Sequence, residues 1–291
     1  MRRAIVMAAF VAALACAPKN PPSTIPTPGN PPAAPPPPPG PPPAAPQGLR
    51  LGPSALRYAM HQAIHIEQEF QGMRQPLDYG LRIFFAVTIS GPADSAGYPT
   101  TITVDSIAPD SGTAAPMGIN LGAAKALSFA GRLTPRGEFR HQVPSDSIAA
   151  LSLSPIVGSF RNFFPRLPAT GMTLGATWAD TTTENDRAAG SVTVTSISRS
   201  HAAAWEDRSG VRTMRVEVTS DFTIKGGGQQ AGQPFEVAGA GVRSGVDYIA
   251  VDGRYMGGES HDSTSMTITL PIQGMTIPRT QVSRTTVTVL P

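Results

Sequence analysis

The chain has 291 residues, of which 40% are hydrophobic and only 15% charged, so it carries enough apolar material for a core and a surface clothed largely in Ser, Thr, Gly and Gln. Its formal charge of +3 rests on 23 basic and 20 acidic residues; setting Arg2 and Arg3 aside leaves 21 against 20. No later run of like charge exceeds two residues, which excludes the basic footprint of a nucleic-acid binder.

In chain order, Arg2 and Arg3 precede an apolar run from Ala4 to Ala15, the pattern of an export signal, and residues 1–15 read as a signal peptide. The run is too short to span a bilayer, and no later stretch approaches the needed length. Cys16 is the only cysteine, so in an oxidising compartment it has no intramolecular partner. Ala13, Leu14 and Ala15 place small and apolar residues before it, and this junction resembles the lipobox of bacterial lipoproteins. The resemblance implies cleavage before Cys16, a diacylglycerol on its thiol and a second acyl source on its amine, enough chains for stable membrane anchoring. With Ala17 rather than Asp beside the cysteine, it further implies the outer membrane of a two-membrane host. Ordinary cleavage at the Ala-rich junction is the alternative, leading to a secreted or periplasmic protein.

From Pro18 to Pro46, 16 of 29 residues are proline. Backbone donors are therefore scarce, and a polyproline II tether of up to about 90 Å is expected. Its P-x-x-P patterns also suit a partner's aromatic groove. Residues 16–48 thus read as lipidated cysteine plus disordered linker, and residues 49–291 as one β-rich domain.

That domain is expected to open with a helix over Ser54–Phe70, with Ser54 as cap, Gly72 as stop, and Leu56, Met60, Ala63, Ile64 and Phe70 on one face. On the opposite face His61 and His65 stand four apart, a spacing that seats two imidazoles over one metal ion, with Glu69 one turn on as a third ligand. Gln62 stands where a zinc protease needs its glutamate, and a solvated polar face accounts for the same residues. From Leu81 the period becomes two: Leu81–Ile89 and Thr100–Ile107 form one expected hairpin, and Ala126–Val143 another, bent at Pro135–Gly137. An amphipathic helical segment over Asp146–Phe164 must be split by Pro155.

The remainder reads as strands near 174–183, 191–199, 211–224, 235–242, 246–251, 254–270 with a break, and 280–290. "EDRSGV" and "KGGGQQAGQ" are read as longer loops, and Val251-Asp252-Gly253-Arg254 as a tight hairpin. The fold class expected is mainly β with two helical segments, an antiparallel meander forming a curved sheet, half-barrel or sandwich. "FFPRLPATGMTLGATWADT" resembles the proline-rich lead and Gly-x-x-Trp of secreted bacterial β-rich proteins, and the whole plan resembles the half-barrel carriers of lipoprotein transport. The second resemblance implies an acyl chain sheltered on an apolar concave sheet.

No nucleophile elbow or cofactor motif is present. "APDSGT" at 108–113 carries an Asp-Ser-Gly in a turn, and His141, His201 and His261 are each solitary. Phe85, Phe129, Trp178, Trp205, Met214, Met266 and Ile268 are read as core, with a ligand cavity as the competing use. The function expected is a lipid-anchored envelope module for binding or scaffolding, its partner an apolar small ligand or an envelope protein. A metal-assisted hydrolase on His61, His65 and Glu69 is the alternative.

Overall fold

The computed structural model describes residues 48–110, 113, 119–186, 190–230 and 232–291. The signal segment, Cys16 and the proline tract lie outside the described residues. Eleven strands form one antiparallel sheet: β1 Ser54–Phe70, β2 Met73–Ile89, β3 Tyr98–Pro109, β4 Ser128–Leu133, β5 Phe139–Pro144, β6 Thr177–Asp186, β7 Gly190–Arg208, β8 Val211–Gln230, β9 Gln233–Ala250, β10 Tyr255–Leu270 and β11 Met275–Val289. The spatial order is β5-β4-β3-β2-β1-β11-β10-β9-β8-β7-β6. Two meanders are therefore joined at the centre by β1 and β11, the first and last strands of the sheet. The sheet is curved, and no ladder among the described residues closes β5 onto β6. The described residues also form a single sheet, without the second layer of strands that a sandwich requires.

The expected leading helix is a strand. Along β1 the even positions Tyr58, Met60, Ile64 and Ile66 are buried, while Arg57, His61, His65, Glu67 and Glu69 face solvent, a period of two. Gly72 is not a helix stop but the second residue of the β1–β2 turn, where Gln71 and Gly72 have φ of 53° and 75° and Phe70 pairs with Met73. Positive φ at both central residues gives the turn the twist that a two-residue hairpin needs. The expected loops are shorter for the same reason. "EDRSGV" is strand apart from the turn at Ser209 and Gly210, and Lys225–Gln230 continues β8.

Both expected N-terminal hairpins form, as β2–β3 and β4–β5. The two segments read near 235–242 and 246–251 are one strand, β9. The break expected in 254–270 is a bulge between Tyr255 and Gly258.

The mid-chain helical segment is split as Pro155 demands, into α1 Ser147–Ser152, α2 Ser154–Val157 and a 3-10 turn over Gly158–Asn162. Asp146 caps α1, its Oδ1 accepting from the backbone N–H groups of Ile148 and Ala149 at 2.9 Å. This segment lies on the path from β5 to β6, the two edges of the sheet, and carries Leu153, Ile156, Phe160 and Phe163 into the main core beside Tyr58, Phe85 and Phe129. Phe85 lies 4.9 Å from the Phe160 ring and 5.1 Å from that of Phe163. The concave surface is thereby divided: β1–β4 are covered by the helical segment, and the β6–β11 side is lined differently. Among the described residues no helix is long and apolar enough to cross a membrane.

Candidate functional site: the concave cavity

A cavity of about 260 Å³ occupies the second half of the concave face, walled by strands β6 to β11 and β1 and by the segment from Asn162 to Arg166. Its lining follows from strand register. Ser196, Ser198 and Ser200 alternate along β7, so all three side chains share the inner face. Across the sheet, one row runs Ile64, Ser283, Asp262, Arg243, Ser220 and Ser198, and ends on Asp180 at the edge. The row on one side of it runs Gln62, Thr285, Ser260, Gly245, Val218 and Ser200. The row on the other runs Gln281, Thr264, Gly241, Phe222, Ser196 and Thr182. Nine serine and threonine side chains therefore reach the lining.

Apolar residues bound this hydroxyl belt at both ends. Phe163, Phe164 and Val287 stand on the side of the main core. Ile224 belongs to a second cluster with Val192, Val194, Phe235, Leu270 and Ile277, against which Phe222, Met266 and Ile268 pack. Phe222 reaches its place because β9 has no side chain at Gly241. A Cβ there would meet the Phe222 ring at 2.3 Å and Ser263 O at 2.5 Å.

Arg243, Asp262 and Asp247 are held by neighbours. Arg243 Nε donates to Asp262 Oδ1, and Ser283 Oγ donates to Asp262 Oδ2 at 3.0 Å. Ser198 and Ser220 share a hydrogen bond of 2.8 Å. Tyr255 OH donates to Asp247 Oδ1 at 2.8 Å, and Tyr58 OH donates to the Tyr255 carbonyl at 2.7 Å. Burial pushes the Asp247 carboxyl up to about 6, against the lowering pull of the Tyr255 hydroxyl and of Arg243. The same burial lifts the Tyr255 phenol well above its ordinary value, with Asp247 adding to the effect, and raises Tyr58 despite Arg254. Beyond the belt, Arg279 is 3% exposed, and burial lowers its guanidinium to about 10. Its Nη2 donates to Gln281 Oε1 at 2.9 Å, while Nε has no hydrogen-bond partner. Thr182, also 3% exposed, lines the cavity with its hydroxyl oxygen unpartnered.

The residues expected as metal ligands lie elsewhere, on the convex face. A strand rises about 3.3 Å per residue, so His61, His65 and Glu69 follow one another about 13 Å apart and do not converge as they would on a helix. Each histidine has its own carboxylate: His61 Nε2 meets Asp110 Oδ2, while Arg82 Nε holds Asp110 Oδ1 at 2.9 Å, and His65 Nδ1 lies 2.8 Å from Asp78 Oδ1. The Asp78 hydrogen bond raises the His65 pKa, with Glu67 adding. Among the described residues no three His, Cys, Asp or Glu side chains gather as a metal site. The aspartate of "APDSGT" is this surface Asp110, and His201 stands 3.6 Å from Glu217. Phe85, Phe129 and Met214 are core, Trp178 and Trp205 pack on it, Ile268 packs on the second cluster, and of these seven candidates only Met266 reaches the cavity.

The belt itself escaped the sequence reading, although its signal is present. In "SVTVTSISRS" serines take alternate positions while Ile197 is 44% exposed between them, which inverts the usual rule of apolar in and polar out. No protein-family model matches the chain, and no curated protein matches it either.

Proposed function

We propose that this protein is a membrane-tethered binding module of the cell envelope that holds a small molecule on the concave face of its sheet. The observation that carries the binding part is the cavity of about 260 Å³, a concave pocket of mixed lining with convergent polar groups and a perturbed carboxyl at Asp247. The tether rests on the sequence around Cys16 and the proline tract, and the open, curved plan is in keeping with the carriers it resembles.

Two measurements test this. Native mass spectrometry of the purified chain is expected to show a noncovalent adduct that collision releases, and a bare chain under all gentle conditions counts against a bound ligand. Replacing Cys16 by alanine is expected to move the protein from the membrane fraction to the soluble one, because the acyl chains supply nearly all the membrane affinity. Continued sedimentation with membranes removes the lipid anchor from the proposal.

A further inference from the structure

We infer that the ligand of the concave cavity is a neutral polyhydroxylated compound of the saccharide class, an inference that rests on the binding-module reading above. Three observations lead to it. The first is the belt. Nine hydroxyl side chains from five strands face one space, and a hydroxyl both donates and accepts. The ligand that matches such a wall is one whose own groups also do both. An acyl chain laid across it takes these hydroxyls out of water and returns no hydrogen bond, and a methylene contact does not offset an unpaired buried hydroxyl.

The second is charge. The belt's arginine, Arg243, is engaged by Asp262, and Arg166 by Glu138, so neither lining cation stands alone to select an anionic head group; Asp247 is engaged by Tyr255, and Asp180 at the β6 edge faces the space as an acceptor. The carboxylates remain good acceptors for ligand O–H groups. The third is Thr182, whose oxygen is buried, faces the cavity and has no protein partner. A buried hydroxyl is rarely left so, and a ligand hydroxyl reaching the β6 side satisfies it. The flanking aromatic side chains Phe163 and Phe222 suit the C–H face of a sugar ring, and the volume lies just below the roughly 300–1,000 Å³ of drug-sized sites, which favours one or two rings.

Calorimetric titration of the full chain with maltose, trehalose and N-acetylglucosamine, and in parallel with decanoate, tests the inference. At least one saccharide is expected to bind, and the paired change Ser198→Ala with Ser220→Ala is expected to weaken it about tenfold for two lost hydrogen bonds. Thr219→Ala, on the exposed outer face of β8, is expected to leave it unchanged. Unchanged thermal midpoints in all variants keep loss of binding distinct from loss of fold. Saccharide binding that ignores the paired change overturns the assignment to the belt. Decanoate binding without saccharide binding overturns the inference and leaves the binding module standing, whereas binding of neither probe removes both.

Discussion

Replacing Phe85 by alanine is expected to lower the free energy of unfolding by about 3–5 kcal/mol, the range for a fully buried phenylalanine. Phe85 is 0% exposed and sits where the sheet meets the helical segment. Its ring stacks on Tyr58 at 5.5 Å and takes Phe160 and Phe163 on its other sides. Neighbours held by separate stretches of chain, β1 and the 158–163 segment, collapse poorly into a hole, so the cavity cost adds to the lost burial. Urea unfolding followed by tryptophan fluorescence reads it directly, because Trp178 and Trp205 both pack on this cluster. Ile197→Ala, at an exposed position of β7, is the control and is expected to stay within about 0.5 kcal/mol of the parent. A Phe85→Ala loss below about 1 kcal/mol would show that the helical segment is not seated on β2 as described.

The second large effect is a pH dependence set by Asp247. Its carboxyl is raised from 3.8 to about 6 in the folded chain. Below 3.8 both folded and unfolded chains hold the proton, and the group contributes nothing to the difference. Between 3.8 and 6 the unfolded chain releases it first, so stability falls as pH rises. Above 6 the full penalty is in place, about 2–3 kcal/mol for a shift of this size. Asp247→Asn keeps an oxygen to accept from Tyr255 and has no proton to lose. The variant is therefore expected to match the parent near pH 3.5 and to exceed it by about 2–3 kcal/mol at pH 7.5. Parallel stability curves across that interval would mean that Asp247 ionises in the folded chain as freely as in water.

The strand positions from Leu81 onward were legible because alternation there is unambiguous: Leu81, Ile83, Phe85, Val87 and Ile89 all point into the core. The first strand was not. Gln62 takes an inward position on β1, and Ala59 and Ala63 sit among the outward ones, so the apolar residues satisfy a period of 3.6 about as well as one of two. What decides between them is pairing. Seventeen register positions against β2 and eleven against β11 outweigh any local preference of a segment without tertiary partners. The misread strand then misplaced the chemistry, since His61 and His65 are neighbours only on a helix. The cavity was hidden for a different reason. Its walls come from seven strands, and no single stretch contains more than a few of its serines.

The position of β11 has a consequence in time. A chain made from its N-terminus can complete the β1–β5 meander once residue 144 has emerged, and the β6–β10 meander once residue 270 has. Each half then waits with one side of a long strand, β1 or β10, unsatisfied. β11, which follows both meanders in the chain, is the strand that fits between them, pairing with β1 on one side and β10 on the other. Until the fifteen residues of β11 arrive, β1 has no link to the strands that face it across the cavity, and both waiting edges are open to the wrong partner. The order of synthesis thus makes the assembly of the binding surface the closing act of folding, and makes the interval before it the period when a holding chaperone matters most.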